Sequence, residues 1–184
     1  NCEKEAAELI VRDLGRRGLA LWRATYPGAV VNGTLVVALQ RDRADLDRFA
    51  RMTEGHQRLS PAEIAAAEPA LVDRFAGGLY YAEEGHLSPE PALRFLLEQA
   101  QAAGAEICLG EGEFPADADI VIDCRGLAAK RDLPTLRGVR GERIVLKSRE
   151  VNLLRPVRVL HPRFPVYVVP WGNGVYMIGA TVIE

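Results

Sequence analysis

The spacing of apolar positions divides the chain into helical stretches in its first hundred residues and strand-like stretches in its last forty. Apolar residues recur at helical intervals in the first part, and turn residues mark where each helix begins and ends. We predict helices over residues 3–24 and 42–53, a short one between Ser60 and Pro69, and a longer one between Ser88 and Gly104.

Short runs of β-branched and apolar residues between turn signals predict strands. The predicted strands cover residues 34–39, 78–83, 105–109, 119–123, 142–148, 156–161, 165–170 and 175–181. Gly172-Asn173-Gly174 is typical of a tight turn, so we expect the last two strands to form a hairpin. The chain therefore mixes helices with a sheet whose C-terminal third is antiparallel, which is an α+β fold.

Composition narrows the function classes. The 184 residues are 48% apolar and 26% charged, with a net charge of -2 and a pI near 6.0, as in ordinary globular proteins. The absence of a basic excess argues against nucleic-acid binding. No apolar run is long enough to span a membrane, and residues 1–17 are too charged for a secretory signal. We therefore expect a cytoplasmic protein.

Cysteine and histidine positions give no sign of a disulfide framework or a metal site. Cys2, Cys108 and Cys124 are odd in number and show no CxxC spacing, which fits a reducing compartment. Cys108 and Cys124 lie in apolar, strand-like runs and are expected to be small buried side chains. The three histidines are scattered, without the paired spacing of metal ligands.

The densest group of chemically useful residues lies in the segment 155–171, which combines arginines, a tyrosine and several prolines. Alternation along a strand places Tyr167 and Val169 on one face and Val166 and Val168 on the other. Tyr167 could then point into a pocket and donate its hydroxyl to a carboxylate. The alternative is a core tyrosine with its hydroxyl at the surface, and the residues alone leave both open.

Five segments together resemble one family in the same order and spacing. They are EGHLSP (84–89), ADIVIDCRG (118–126), RGVRGE (137–142), RPVRVLHPRFPVYVVP (155–170) and GVYMIGATVIE (174–184). The chain is similar throughout to the FAD-dependent glycine oxidases of thiamine biosynthesis, within the D-amino acid oxidase superfamily.

The resemblance implies how the chain is organised. Residues 1–29 and 101–138 correspond to part of a Rossmann-like FAD-binding domain, and residues 30–100 and 139–184 to the substrate-binding domain. For contact with FAD it implies Glu113, near the adenine end, and Cys124, Arg125 and Gly126. The glycine suits a position where the backbone passes close to the dinucleotide.

The resemblance also implies the chemistry. Tyr167 corresponds to the active-site tyrosine, and Val182 to an apolar side chain that faces the substrate. The flavin accepts a hydride from the α-carbon of a small amino acid, and oxygen then reoxidises it with release of hydrogen peroxide. The protein mainly orients the substrate, so no residue is expected to act as a catalytic acid or base.

The sequence departs from the family pattern at several points. It lacks the N-terminal GxGxxG, and the arginine that clamps the substrate carboxylate is expected beyond Glu184. The connection between Leu109 and Ala118 is short, and Trp171 stands where the family often has arginine. We therefore expect an internal segment that does not catalyse alone. The alternatives to a glycine oxidase are a sarcosine or D-amino acid oxidase, or a non-catalytic binding module. Identical chains could also associate through an exposed sheet.

Overall fold

The computed structural model describes residues 8–110, 118–163 and 165–179. Within them the helices are α1 (Leu9–Thr25), α2 (Arg43–Met52), α3 (Pro61–Ala67) and α4 (Pro89–Ala102), with 3-10 turns at Gln40–Asp42, Pro69–Leu71 and Gly126–Arg131. The strands are β1 (Val30–Val31), β2 (Thr34–Ala38), β3 (Gln57–Leu59), β4 (Gly78–Tyr81), β5 (Gly85–His86), β6 (Arg143–Lys147), β7 (Val157–Leu160), β8 (Val166–Gly172) and β9 (Val175–Gly179).

Seven strands form one mixed sheet in the order β3-β4-β2-β7-β8-β9-β6. Only the β2–β7 pair in this sheet is parallel, and the other neighbours run antiparallel. The short strands β1 and β5 pair separately. This arrangement confirms the predicted α+β class and the antiparallel character of the C-terminal third.

The sheet is covered on both faces along β4, β2 and β7. On one face α2 contributes Leu46 and Phe49, which pack with Val36 and Leu79. On the opposite face Ile64 of α3 packs against other residues of β2 and β7. All five residues of β2 are buried, which explains why this strand is a continuous apolar run rather than an alternating one.

Local sequence signals predict the start of α3 correctly. The Ser60 hydroxyl accepts a hydrogen bond from the Glu63 backbone N–H at 3.4 Å, and the Glu63 carboxylate accepts one from the Ser60 N–H at 2.7 Å. This capping box, with Pro61 in the first turn, begins α3 where the sequence predicts it.

The predicted hairpin is also confirmed. Gly172, Asn173 and Gly174 all adopt positive φ, and β8 and β9 pair on either side of them. The pairing shifts register between Pro170 and Gly172, so Trp171 is the extra residue of a bulge.

Two predicted strands do not form. Residues 105–109 and 119–123 have no strand structure, and Leu109, Ile120 and Ile122 are 94%, 79% and 80% exposed. A strand is stabilised by the neighbours it pairs with, and no described strand lies beside either segment. Cys108 and Cys124 are consequently exposed, so the prediction that they are buried is wrong.

The apolar face of α1 is also exposed. Ile10, Leu14 and Leu21 recur at helical spacing along it, and they are 59%, 56% and 67% exposed. Helical periodicity identifies an apolar stripe but not what covers it. Contacts near its C-terminal end hold the helix: Tyr26, which follows it, lies against Phe95 of α4 with tilted rings whose centres are 5.4 Å apart.

Candidate functional site

One cross-strand row of the large sheet carries most of the candidate site. Directly paired residues project from the same face, and the row runs through all seven strands. From β3 to β6 its members are Arg58, Leu79, Val36, Arg158, Tyr167, Gly179 and Arg143. We call the face that bears this row the tyrosine face.

On the tyrosine face, the Arg158 guanidinium lies between two aromatic rings. Its central carbon is 4.8 Å from the ring centre of Phe49 on α2 and 5.0 Å from that of Tyr167 on β8. Both distances are within the range of cation–π attraction. The arginine therefore joins helix α2 to the strand that carries the candidate substrate residue.

The hydroxyl of Tyr167 is buried and has no hydrogen-bond partner among the described residues. The side chain is half-buried and packs against the core cluster under α2. The alternative of a core tyrosine with its hydroxyl at the surface is therefore wrong. A buried hydroxyl is normally hydrogen-bonded, so an unpartnered one calls for an explanation such as a ligand.

Two further residues of the row lie on the other side of Tyr167. Its partner on β9 is Gly179, which has no side chain, and the next residue of the row is Arg143 on the exposed edge strand β6. A Cβ added at Gly179 would lie 3.3 Å from the Arg143 Cβ and 3.3 Å from the Met177 sulfur. In this row Arg158 therefore lies on one side of Tyr167 and Gly179, and Arg143 lies on the other.

Trp171 lies close to the side chain of Arg143. The β-bulge directs its ring to within 5.9 Å of the Arg143 guanidinium carbon. Trp171 also lines a cleft of about 530 Å³ between helix α4 and the β8–β9 hairpin, together with Tyr26 and Phe95. At the position where the family often has arginine, this chain therefore has an aromatic wall.

The core beneath the tyrosine face contains a polar pair. The Thr53 hydroxyl lies 2.6 Å from the Tyr81 hydroxyl and donates to the Phe49 carbonyl at 2.8 Å. The ring centre of His56 lies 5.6 Å from that of Tyr81. Burial, helped by the positive charge of Arg58, lowers the pKa of His56 below its ordinary value. No pattern in the sequence indicates this group, because its members are close only in the folded chain.

Of the residues implied to contact FAD, the structure describes Cys124, Arg125 and Gly126, which follow the segment 119–123 that forms no strand. Gly126 has φ +57, and no atom lies within 4 Å of where its Cβ would be, so its backbone is open to a ligand. The Arg125 guanidinium bonds Asp123 at 2.8 Å and Asp132 at 2.6 Å. The hydrogen bonds that Asp123 accepts from the Arg125 side chain and from its backbone N–H lower the pKa of Asp123 to about 2. Cys124 is exposed, and Glu113 lies outside the described residues, as does Val182.

The described residues fit an FAD site only in part. Gly126 would tolerate close approach of a dinucleotide, and the tyrosine face offers an unpartnered buried hydroxyl. The Arg125 guanidinium is already bound by two carboxylates, and the described strands include no parallel nucleotide-binding sheet.

In residues 8–110, 118–163 and 165–179, no group of three or more histidine, cysteine or acidic side chains is arranged to hold a metal ion. No helix in the described part of the chain has the length and apolar character needed to cross a membrane.

Comparison with known proteins identifies the class. The sequence profile of the family described as FAD dependent oxidoreductase (DAO) matches residues 3–184. The chain therefore belongs to the FAD-dependent oxidoreductases of this family. This confirms the resemblance seen in the sequence.

Individual relatives narrow the comparison. The chain is 48% identical over 185 residues to a Rhizobium etli protein named as the thiamine biosynthesis oxidoreductase ThiO, covering 100% of this chain and 57% of that protein. Glycine oxidase from Bacillus cereus superposes with a TM-score of 0.65 at 20% identity, over 96% of this chain and 59% of the enzyme. Glycine oxidase from Geobacillus kaustophilus gives 0.62 at 25% identity, over 95% and 54%. The chain thus spans little more than half the length of these relatives.

Proposed function

We propose that this chain forms the substrate-facing part of an FAD-dependent oxidase that deaminates glycine or another small amino acid. The product would supply thiazole formation in thiamine biosynthesis. The name of the Rhizobium etli relative supports the pathway, and the two glycine oxidases among the structural neighbours support the substrate class.

The unpartnered hydroxyl of Tyr167 carries the proposal. It is buried on the tyrosine face beside the Arg158 guanidinium, where a donor and a positive charge can meet an anionic group. The carboxylate of an amino acid meets this requirement.

The proposed reaction needs little from the protein beyond orientation. When bound, FAD supplies the acceptor for the hydride that leaves the substrate α-carbon. The resulting imine hydrolyses or enters thiazole formation, and oxygen takes up the two electrons and two protons to give hydrogen peroxide. Tyr167 would bind the carboxylate and so aim the α-carbon, and this role requires no proton transfer.

We also propose the division of the chain between two domains. Residues 1–29 and 101–138 would belong to the FAD-binding domain, and residues 30–100 and 139–184 to the substrate domain. The lack of strand structure at 105–109 and 119–123, and the exposed stripe of α1, support this division. These apolar surfaces fall in the first group of residues. Glu113, Cys124, Arg125 and Gly126 would lie near FAD, and Val182 near the substrate.

The finer alternatives differ in their measurable behaviour. A sarcosine or D-amino acid oxidase would turn over the larger amine faster than glycine, whereas a non-catalytic module would bind no flavin.

Association of identical chains is a further prediction. It would use β6, which lies at the edge of the sheet and is exposed along its length. The mass of the protein in solution tests it.

The natural gene product that contains this chain provides the test. We expect visible absorption of oxidised flavin and glycine-dependent release of peroxide. Tyr167→Phe should raise the KM for glycine about tenfold or more, the usual size of a lost hydrogen bond to a charged group. Tyr176→Phe is the matched control, because its hydroxyl bonds the Val151 carbonyl at 2.6 Å from β9. It should lower stability without raising KM.

Two outcomes would contradict the proposal. A gene product without flavin that releases no peroxide would leave a non-catalytic binding module. A flavoprotein in which Tyr167→Phe and Tyr176→Phe have equal effects on KM would remove Tyr167 from the substrate site.

A further inference from the structure

Arg158 occupies an unusual place for a charged residue. It lies on β7, a central strand flanked by β2 and β8, between the buried residues Val157 and Leu160. An apolar side chain would normally fill such a position, because burying a charge is costly unless it is compensated. The two rings that enclose the guanidinium, Phe49 and Tyr167, provide part of that compensation.

The same geometry constrains Tyr167. Arg158 and Tyr167 are directly paired across β7 and β8, and the guanidinium lies 5.0 Å from the tyrosine ring centre. Phe49 of α2 lies on the same guanidinium at 4.8 Å. The ring of Tyr167 is therefore held against a guanidinium that also contacts helix α2, and the positive charge of that guanidinium is permanent.

We propose that Arg158 is a positioning residue for this site: it orients the Tyr167 ring and adds a fixed charge that makes the site selective for a carboxylate. The inference rests on the proposed function and adds a residue and a selectivity to it. Arg158 acts through Tyr167 and through its field, and need not touch the substrate.

A pair of ligands separates this role from simple packing. Glycolate and glycolamide have nearly the same shape, but only glycolate is charged. In the flavin-loaded full-length protein, Arg158→Met should weaken glycolate binding about tenfold, because charges a few ångströms apart near a protein surface interact this strongly. Binding of glycolamide should change less than about twofold, since it lacks the charge. Arg158→Lys should bind glycolate more weakly than wild type but more tightly than Arg158→Met, because lysine keeps the charge but loses the planar stack. Calorimetric titration measures both dissociation constants directly.

Arg58→Met is the matched control. Arg58 belongs to the same row of the tyrosine face, but it lies on β3, four strands from Tyr167, or roughly 19 Å at ordinary strand spacing. This variant should leave both ligands unaffected. Arg158→Gln removes the charge while keeping a polar side chain, and it replaces Arg158→Met if the methionine variant does not fold.

Three results would overturn the inference. Equal weakening of glycolate and glycolamide in the neutral variants would show a packing role only, and unchanged binding of both would show no role. In either case a wild-type protein that oxidises glycine would leave the proposed function standing. A wild-type protein that neither binds glycolate nor oxidises glycine would remove the proposed function and this inference with it.

Discussion

Glu68 and Arg155 form an ion pair in which the carboxylate is entirely removed from solvent. The Arg155 Nε lies 3.7 Å from a Glu68 carboxylate oxygen, and the Glu68 side chain has 0% exposure. Both carboxylate oxygens accept from the Leu154 N–H at 3.0 Å, and Arg155 also donates to the Asn32 carbonyl at 2.9 Å. The pair therefore joins the end of α3 to the start of β7, the strand that carries Arg158.

Glu68 should make stability depend on pH in the acidic range. Burial raises its pKa above the ordinary 4.5, and the opposing effects of the Leu154 N–H and the Arg155 charge are smaller. The folded state thus binds this proton more tightly than the unfolded state does. The resulting stability is present below about pH 4.5 and is lost as the pH rises through the folded pKa.

Glu68→Gln should remove this dependence. Glutamine still accepts from Leu154 but does not titrate, so the stability of wild type relative to the variant should decline from pH 4.5 towards neutrality. Urea unfolding across this range measures the difference. Glu90→Gln, at an 84% exposed glutamate, is the control and should show no such decline. A constant difference between wild type and Glu68→Gln would refute the pKa direction.

Two glycines of the β8–β9 hairpin should respond differently to alanine. Both have positive φ, +87 at Gly172 and +72 at Gly174, and each substitution should cost about 1 kcal/mol in backbone strain. No atom lies within 4 Å of a Cβ at Gly172, but one at Gly174 would lie 2.5 Å from the Ser148 carbonyl oxygen. Gly174→Ala should therefore cost about 3 kcal/mol in total. Thermal and urea unfolding of the two variants test this, and equal losses would contradict it.

The hairpin was predictable because its signal is local. Gly172-Asn173-Gly174 and the capping box of Ser60 and Glu63 each specify the backbone through neighbours in sequence. The alternation that places Tyr167 opposite Val168 in β8 is local too, and the packing of Tyr167 against the α2 cluster confirms it. The resemblance to a family supplied the rest of the identification, and the family profile confirms it.

The failures arise where structure depends on distant partners. Residues 119–123 have the composition of a buried strand, but no described strand pairs with them, and Ile120 and Ile122 are exposed. Strands β1, β3 and β5 were missed because two or three residues carry no periodic signal. The stack of Phe49, Arg158 and Tyr167 was not predictable either, because it joins a helix to strands more than a hundred residues away.

The contact between Thr53 and Tyr81 should anchor α2 to the sheet. The Thr53 hydroxyl is buried and bonds both the Tyr81 hydroxyl and the Phe49 carbonyl. Thr53→Val keeps the shape of the side chain but removes both bonds, and should lower the free energy of unfolding by about 1–2 kcal/mol. Thr25→Val, at an exposed threonine at the end of α1, should change it by less than about 0.5 kcal/mol. Equal effects in urea unfolding would show that the buried bonds contribute nothing.

His86 should produce a pH dependence opposite in sign to that of Glu68. Burial lowers its pKa below the ordinary 6.5, and its Nδ1 is buried without a hydrogen-bond partner in the described residues. The unfolded state therefore binds this proton more tightly. The stability that His86 contributes is present above pH 6.5 and is lost as the pH falls through the folded pKa.

The variant His86→Gln cannot be protonated in this range, so the stability of wild type relative to it should decline as the pH falls below 6.5. Urea unfolding between neutral pH and about pH 5 covers the range in which an ordinary or lowered histidine titrates. His161→Gln, just after β7, is the control for the loss of a histidine at another position. If wild type instead gains stability over His86→Gln as the pH falls, His86 binds its proton more tightly in the folded state, and its burial in β5 does not control its titration.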